Sequence, residues 1–465
     1  MNRFRALAVL ALALGLLVSG AFMPARAQDT GSADFTRFVA IGDSLGAGFL
    51  SGGLVRGAQD DSVPALVALQ ATGQQIQQPL VSEPGIPAIL RLQSLSPLVV
   101  TPLPGIGQPV NLGLQRPYDN LSVPGFRIGD ALRTVTGNPV IDLVLRGLGT
   151  QLQQALALQP TFALVWLGNN DVLAAATSGR VIEGVTLTPV AQFEADYTAV
   201  VGALKAAGAD LALANLPNVT SIPYVTTIPS VLINPATNQP VPGPGGAPIP
   251  LLGPNGPLGP NDRVLLPASA KLAQGIGIPA FAGGTGQPLG DADVLSATEV
   301  AVIQARVDAF NAIIRATATA TGSSLADINA LLRQAAGPGF NIGGITFTED
   351  YITGGSFSLD GVHPSPLGYA VAADEFIRSI NATYGADIPP VDLFPFLFGD
   401  DASAIPSIPG AVVGNVVFSG AATRQLLDVL RVDRGPGRDA GPRAPRGPRG
   451  ERSAADHPTL RPPNH

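Results

Sequence analysis

Short apolar runs of strand length alternate with amphipathic stretches along much of this 465-residue chain. Residues 38–42 (FVAIG), 161–167 (TFALVWL) and 210–216 (DLALANL) are continuous apolar runs, the pattern of strands buried on both faces. Residues 128–158 repeat apolar positions at helical spacing, with a break at Gly137-Asn138-Pro139. Residues 188–207 start beside a proline and end beside a glycine, which are helix start and stop signals. Residues 61–70 predict a short helix, 297–320 a long one, 324–329 a further strand and 366–379 a closing helix. Helices and strands in this rhythm predict an α/β fold, a parallel sheet with helical crossovers.

Two stretches interrupt the rhythm. Residues 77–124 are dense in proline, which breaks helices and central strands, and they read as extended loops crossing the top of the sheet. Residues 217–295 include PVPGPGGAPIP and LGPNGPLGP and are long for a loop inside a compact domain. This insertion is either a cap over a site or a passive surface excursion.

The chain ends carry different signals. Residues 1–27 show Arg3 and Arg5, an apolar run from Ala6 to Val18, and Ala25-Arg26-Ala27. That is the layout of a secretory signal peptide cleaved before Gln28, with an uncleaved anchor as the alternative. The apolar run falls short of the roughly 20 residues of a spanning helix, so no stable membrane span is expected. Residues 385–430 contain IPPVDLFPFLF, apolar enough to pack on the body as an extension. Residues 431–465 repeat Arg, Pro and Gly, build no core, and predict a disordered tail, either solvated or a basic contact arm.

Composition narrows the chemistry. Cysteine is absent, so disulfides and thiolate metal sites are excluded and stability rests on an ordinary core. Residues 28–430 hold 16 Lys and Arg against 30 Asp and Glu. An acidic body disfavours nucleic acid as a partner and offers no attraction to an anionic membrane. Only three histidines occur, His363, His457 and His465, and the last two lie in the tail. A multi-histidine zinc site is therefore excluded, and no metal or cofactor is expected.

The apolar run at 38–42 ends in Gly42-Asp43-Ser44-Leu45, which brings a polar triplet to the carboxyl end of a strand. Ser44 is a candidate nucleophile there, although the same triplet also reads as a turn or a helix cap. His363 is the one body histidine available to serve it as a base. It follows Asp360 by three residues in a Gly- and Pro-rich segment, and serine, histidine and an orienting carboxylate are what acyl transfer requires. The run at 161–167 ends in Gly168-Asn169-Asn170-Asp171, which reads either as a turn or as a place for an amide donor to an oxyanion. Trp166 lies inside that strand and reads as core.

These blocks, with Gly125 in Asn120-Leu-Ser-Val-Pro-Gly125, resemble in order the four blocks of the SGNH, or GDSL, hydrolase family. The resemblance covers residues 35–384, and its pieces run from 44 to 363, so residues 28–384 are expected to close into one domain. It implies a three-layer α/β/α sandwich around a mostly parallel sheet. It also implies Ser44 as nucleophile, His363 as base and Asp360 as its orienter. The oxyanion hole it implies is made by the Ser44 and Gly125 amides with the Asn170 side chain. The function that follows is a secreted serine hydrolase of carboxylic esters, lipase or esterase in type, acting as a monomer on a small-molecule or lipid ester in the periplasm, outer envelope or extracellular space of a bacterium. A deacetylase of a surface glycan and a catalytically silent envelope binding module are the alternatives. As a lid, the insertion at 217–295 would supply the acyl pocket.

Overall fold

Five consecutive buried residues in Phe38–Gly42 (β1) form a strand because both of its faces are covered. The computed structural model describes residues 28–95, 98–397, 416–418, 421, 424 and 425. The segments expected to be a leader, 1–27, and a tail, 431–465, and much of 398–430 lie outside the described residues.

After β1 come helix Val63–Thr72 (α1) and a hairpin of Leu90–Leu95 (β2) and Leu98–Pro102 (β3). Three short helices follow, Asp130–Arg133 (α2), Pro139–Leu145 (α3) and Gln151–Ala157 (α4). Strand Phe162–Trp166 (β4), helix Asn170–Ser178 (α5), helix Val190–Ala206 (α6) and strand Asp210–Ala214 (β5) come next. The chain continues with helix Ala297–Thr321 (α7), strand Ser324–Ala326 (β6), helix Ile328–Ala335 (α8) and the hairpin Phe340–Ile342 (β7) with Ile345–Phe347 (β8). Helix Pro366–Tyr384 (α9) closes the domain.

The central sheet is parallel in the order β1-β4-β5-β6, with Phe38 opposite Phe162 and Phe162 opposite Asp210. Residues 119–123 run beside β1 on its free edge, with Leu121 N bonded to Ala40 O at 2.9 Å and Val123 N to Gly42 O at 3.0 Å. Alternate side chains divide between two cores. Val39, Ile41, Val165, Leu211 and Leu213 join the core that includes Phe193, Val200, Ile303 and Phe310 of α6 and α7. Ala40, Leu164, Trp166, Ala212 and Ala326 join the core containing Leu66 of α1 and Phe376 of α9. The result is an α/β/α sandwich.

Caps explain where the helices begin. Ser296 accepts from Glu299 N while the Glu299 carboxylate accepts from Ser296 N, and Thr150 with Gln153 repeats the arrangement at α4. Ser365 caps α9, whose first residue is a proline with no amide to leave unbonded.

Two readings of the proline-rich stretches change in the structure. Within 77–124 the chain makes the antiparallel pair β2–β3, since Leu90 and Val100 face the core and no proline interrupts the bonded residues before Pro102. The insertion at 217–295 folds around a cluster of its own, Leu251, Val264, Ala268, Leu289 and Val294. Residues 263–264 pair with 294–295 and close it, and Lys271 bonds Asp293 at 2.6 Å. Beyond α9 the chain packs back on it, with Asp374 of α9 accepting Val391 N at 2.7 Å and Leu397 packing on Phe347 and Leu367. No helix among the described residues is long and apolar enough to cross a membrane.

Candidate active site

Because the sheet is parallel, β1, β4 and the segment 119–123 deliver their following residues to one edge. The serine turn fits there only with small neighbours. A Cβ on Gly46 would lie 2.4 Å from Ser122 Oγ, so glycine permits the close approach of the two segments. Gln151 holds the strand ends together by donating from Nε2 to Gly42 O and to Leu121 O, each at 2.8 Å.

Asp43 and Ser44 divide the two readings of their motif between them. Asp43 is the turn residue: its carboxylate accepts Leu45 N at 3.0 Å and Asn169 Nδ2 at 2.8 Å. Burial pushes its carboxyl up to about 6, against the opposing pull of those donors. Ser44 turns elsewhere, and its Oγ lies 2.8 Å from His363 Nε2.

His363 Nδ1 lies 2.9 Å from Asp360 Oδ2, and both side chains are fully buried. An ionised carboxylate only accepts, so Nδ1 carries the proton and Nε2 presents its lone pair to the Ser44 hydroxyl. The Asp360 side chain also organises its own loop, with Oδ1 accepting Val362 N at 2.9 Å and His363 N at 2.8 Å. Burial alone would raise the Asp360 carboxyl. Electrostatic attraction to His363 and these hydrogen bonds outweigh burial and hold it below the ordinary carboxylate value. Phe49 covers the imidazole, with ring centres 4.8 Å apart.

Gly125 and Asn170 meet through the residue between them in space. Gly125 takes φ +81°, a conformation that favours glycine, and leads into Phe126. Asn170 begins α5 and donates from Nδ2 to Phe126 O at 3.0 Å, so one amide hydrogen is committed and the other is left to donate elsewhere. Asp171 accepts Ile128 N at 2.8 Å. The first turn of α5 thus grips the chain just after Gly125. Burial pushes the Asp171 carboxyl up to about 7.

All five residues singled out in the sequence therefore lie at one edge of the sheet. Sequence reasoning missed Asn169, Asp171, Gln151 and the hydroxyl of Ser358, which donates to Asp360 Oδ1 at 3.2 Å. Asn169 and Asp171 flank Asn170, and that adjacency was a signal. Trp166 is buried in the core against Phe376, with ring centres 5.7 Å apart.

An apolar cavity of about 100 Å³ has none of these five residues in its lining. Its lining includes Leu45, Trp166, Ile328, Phe357, Val362 and Leu367, and Leu45 and Val362 are the chain neighbours of Ser44 and His363. From the insertion only Pro217 and Ile222 reach it.

Among solved structures the chain is similar to a candidate GDSL-like lipase of Parabacteroides merdae, with 12% identity, a TM-score of 0.33, and coverage of 76% of this chain and 99% of that one. It is similar to an extracellular lipase of Streptomyces rimosus at 13% identity and TM-score 0.31, and to phospholipase A1 of Streptomyces albidoflavus at 13% and 0.29. Each of the two covers 74% of this chain and 98% of its own. No curated protein matches the chain significantly. The sequence matches GDSL-like Lipase/Acylhydrolase over residues 38–376, a span that holds Ser44, Gly125, Asn170, Asp360 and His363, and the chain belongs to that family of hydrolases acting on esters.

Proposed function

We propose that this protein is a secreted serine hydrolase that cleaves carboxylic esters through an acyl-enzyme on Ser44. The observation that carries the reading is the continuous bonded chain from Ser44 Oγ through His363 to Asp360, with distances of 2.8 and 2.9 Å. In this mechanism Ser44 Oγ attacks the ester carbonyl while His363 Nε2 takes its proton. The oxyanion is held by the Ser44 and Gly125 amides and the free hydrogen of the Asn170 amide. His363 then passes its proton to the departing alkoxide, which leaves as the alcohol. A water enters, gives a proton to His363, attacks the acyl carbon and releases the acid, returning Ser44 to its hydroxyl form.

The apolar cavity supports an ester with a short apolar acyl chain. Secretion rests on the leader-like pattern of residues 1–27. The test is turnover of p-nitrophenyl esters from acetyl to octanoyl, with Ser44→Ala as the reference. Turnover that rises beyond acetyl and vanishes in the variant supports the reading, and turnover unchanged by Ser44→Ala overturns it.

A further inference from the structure

Asp360 is also held from outside its own loop. Its Oδ2, shared with His363, accepts Gly52 N at 2.9 Å, while Oδ1 accepts the Ser358 hydroxyl. Ser358 Oγ in turn accepts Ser51 N at 3.0 Å, and Ser51 Oγ accepts Leu359 N at 3.1 Å. Three bonds therefore lace together segments more than three hundred residues apart in the chain. Ser51, Ser358 and Asp360 are all buried, and Ser51 sits at φ +48°, a conformation a non-glycine residue holds only when its surroundings impose it.

The far side of this loop is held by a residue beyond the family match. Gln425 donates from Nε2 to Gly52 O at 2.9 Å and to Ala88 O at 2.7 Å, whereas the match ends at residue 376. One side-chain amide thus fixes the residue whose own N–H reaches Asp360.

We propose that Ser358 and Gln425 are positioning residues for Asp360, with the Ser51–Gly53 loop as a second anchor for its carboxylate. The proposal rests on the reading of Asp360 as the group that orients His363. A carboxylate whose two oxygens are separately tied to Gly52 N and to Ser358 has one orientation, and the imidazole bonded to it inherits that orientation. Loosening either tie leaves every reacting group in place but spreads His363 over unproductive angles. The loss then falls on kcat and leaves KM alone.

The test measures hydrolysis of p-nitrophenyl butyrate by the full chain carrying Ser358→Ala or Gln425→Ala, each in the wild-type and in the Asp360→Ala background. Expected in the wild-type background are falls in kcat of about tenfold and about threefold, with KM unchanged. In the Asp360→Ala background the same substitutions should change kcat by less than about twofold, because residues acting through Asp360 have nothing left to position. Equal losses in both backgrounds overturn the proposal, as does wild-type kcat in both single variants. Gln425 is half-buried and outside the core, so its variant decides the matter if Ser358→Ala does not fold. Wild-type kcat in Asp360→Ala alone removes the underlying reading as well, which separates the two failures.

Discussion

An asparagine at position 360 would reveal what the aspartate does. Its carbonyl oxygen would stay with Val362 N and His363 N, and its amide would turn toward His363 Nδ1, leaving Gly52 N without its acceptor. Nδ1 then has to accept, the ring proton moves to Nε2, and the lone pair facing Ser44 is lost. Asp360→Asn is therefore expected to lower kcat by about 10³ to 10⁴-fold with the fold intact, and a variant keeping a tenth of wild-type kcat would contradict the tautomer argument. Ser44, His363 and Asp360 were legible in the sequence because each sits in a short local motif and only one histidine lies in the body. Ser51 and Gln151 were not, because their partners are Leu359 and Gly42, 308 and 109 residues away, and nothing local marks such a contact.

Helix α5 ties ionisation to stability at its first turn. Asp171 is buried and its carboxyl stands at about 7, against an ordinary 3.8, so the folded state binds this proton more tightly than the unfolded chain. Its contribution to stability is complete below pH 3.8 and is lost as pH rises through about 7. Asp171→Asn stays neutral while its oxygen still accepts Ile128 N. Thermal unfolding should show the variant more stable than wild type at pH 8, by an amount on the order of 4 kcal/mol, with the gap narrowing as pH falls toward 4. Parallel curves across that range would show that Asp171 does not ionise there. Asp360 has the opposite sign, and its contribution is lost only as pH falls below 3.8 through its lowered value. Helix α8 carries a second expectation, since Ala335 lines the apolar cavity. Ala335→Leu should fill it and lower hexanoyl turnover while sparing acetyl, each excluded methylene being worth up to about 0.8 kcal/mol. An unchanged chain-length profile in this variant would place the acyl chain elsewhere. The strands and long helices were legible from periodicity, whereas β2–β3 was masked by prolines flanking an alternating run.

Across the whole molecule, the insertion was the least legible part. Glycine and proline hide an apolar cluster whose members, Leu251, Val264 and Leu289, are spaced too irregularly to show a period. Its own core and its two cavity residues change what a deletion should do. Replacing residues 229–260 by a Gly/Ser linker removes Leu251 from the cluster but leaves Pro217 and Ile222 at the cavity. Calorimetry of that variant should show a lowered Tm, and kinetics an unchanged preference among acyl chains; a flattened preference would make the insertion a lid. The role of Ser44 as nucleophile is read most directly from the site of covalent labelling by a fluorophosphonate, located by peptide mass spectrometry. One adduct per chain is expected, on Ser44, with no adduct in Ser44→Ala and strongly slowed labelling in His363→Ala. An adduct on any other serine, or labelling of Ser44→Ala at the wild-type rate, would contradict that role.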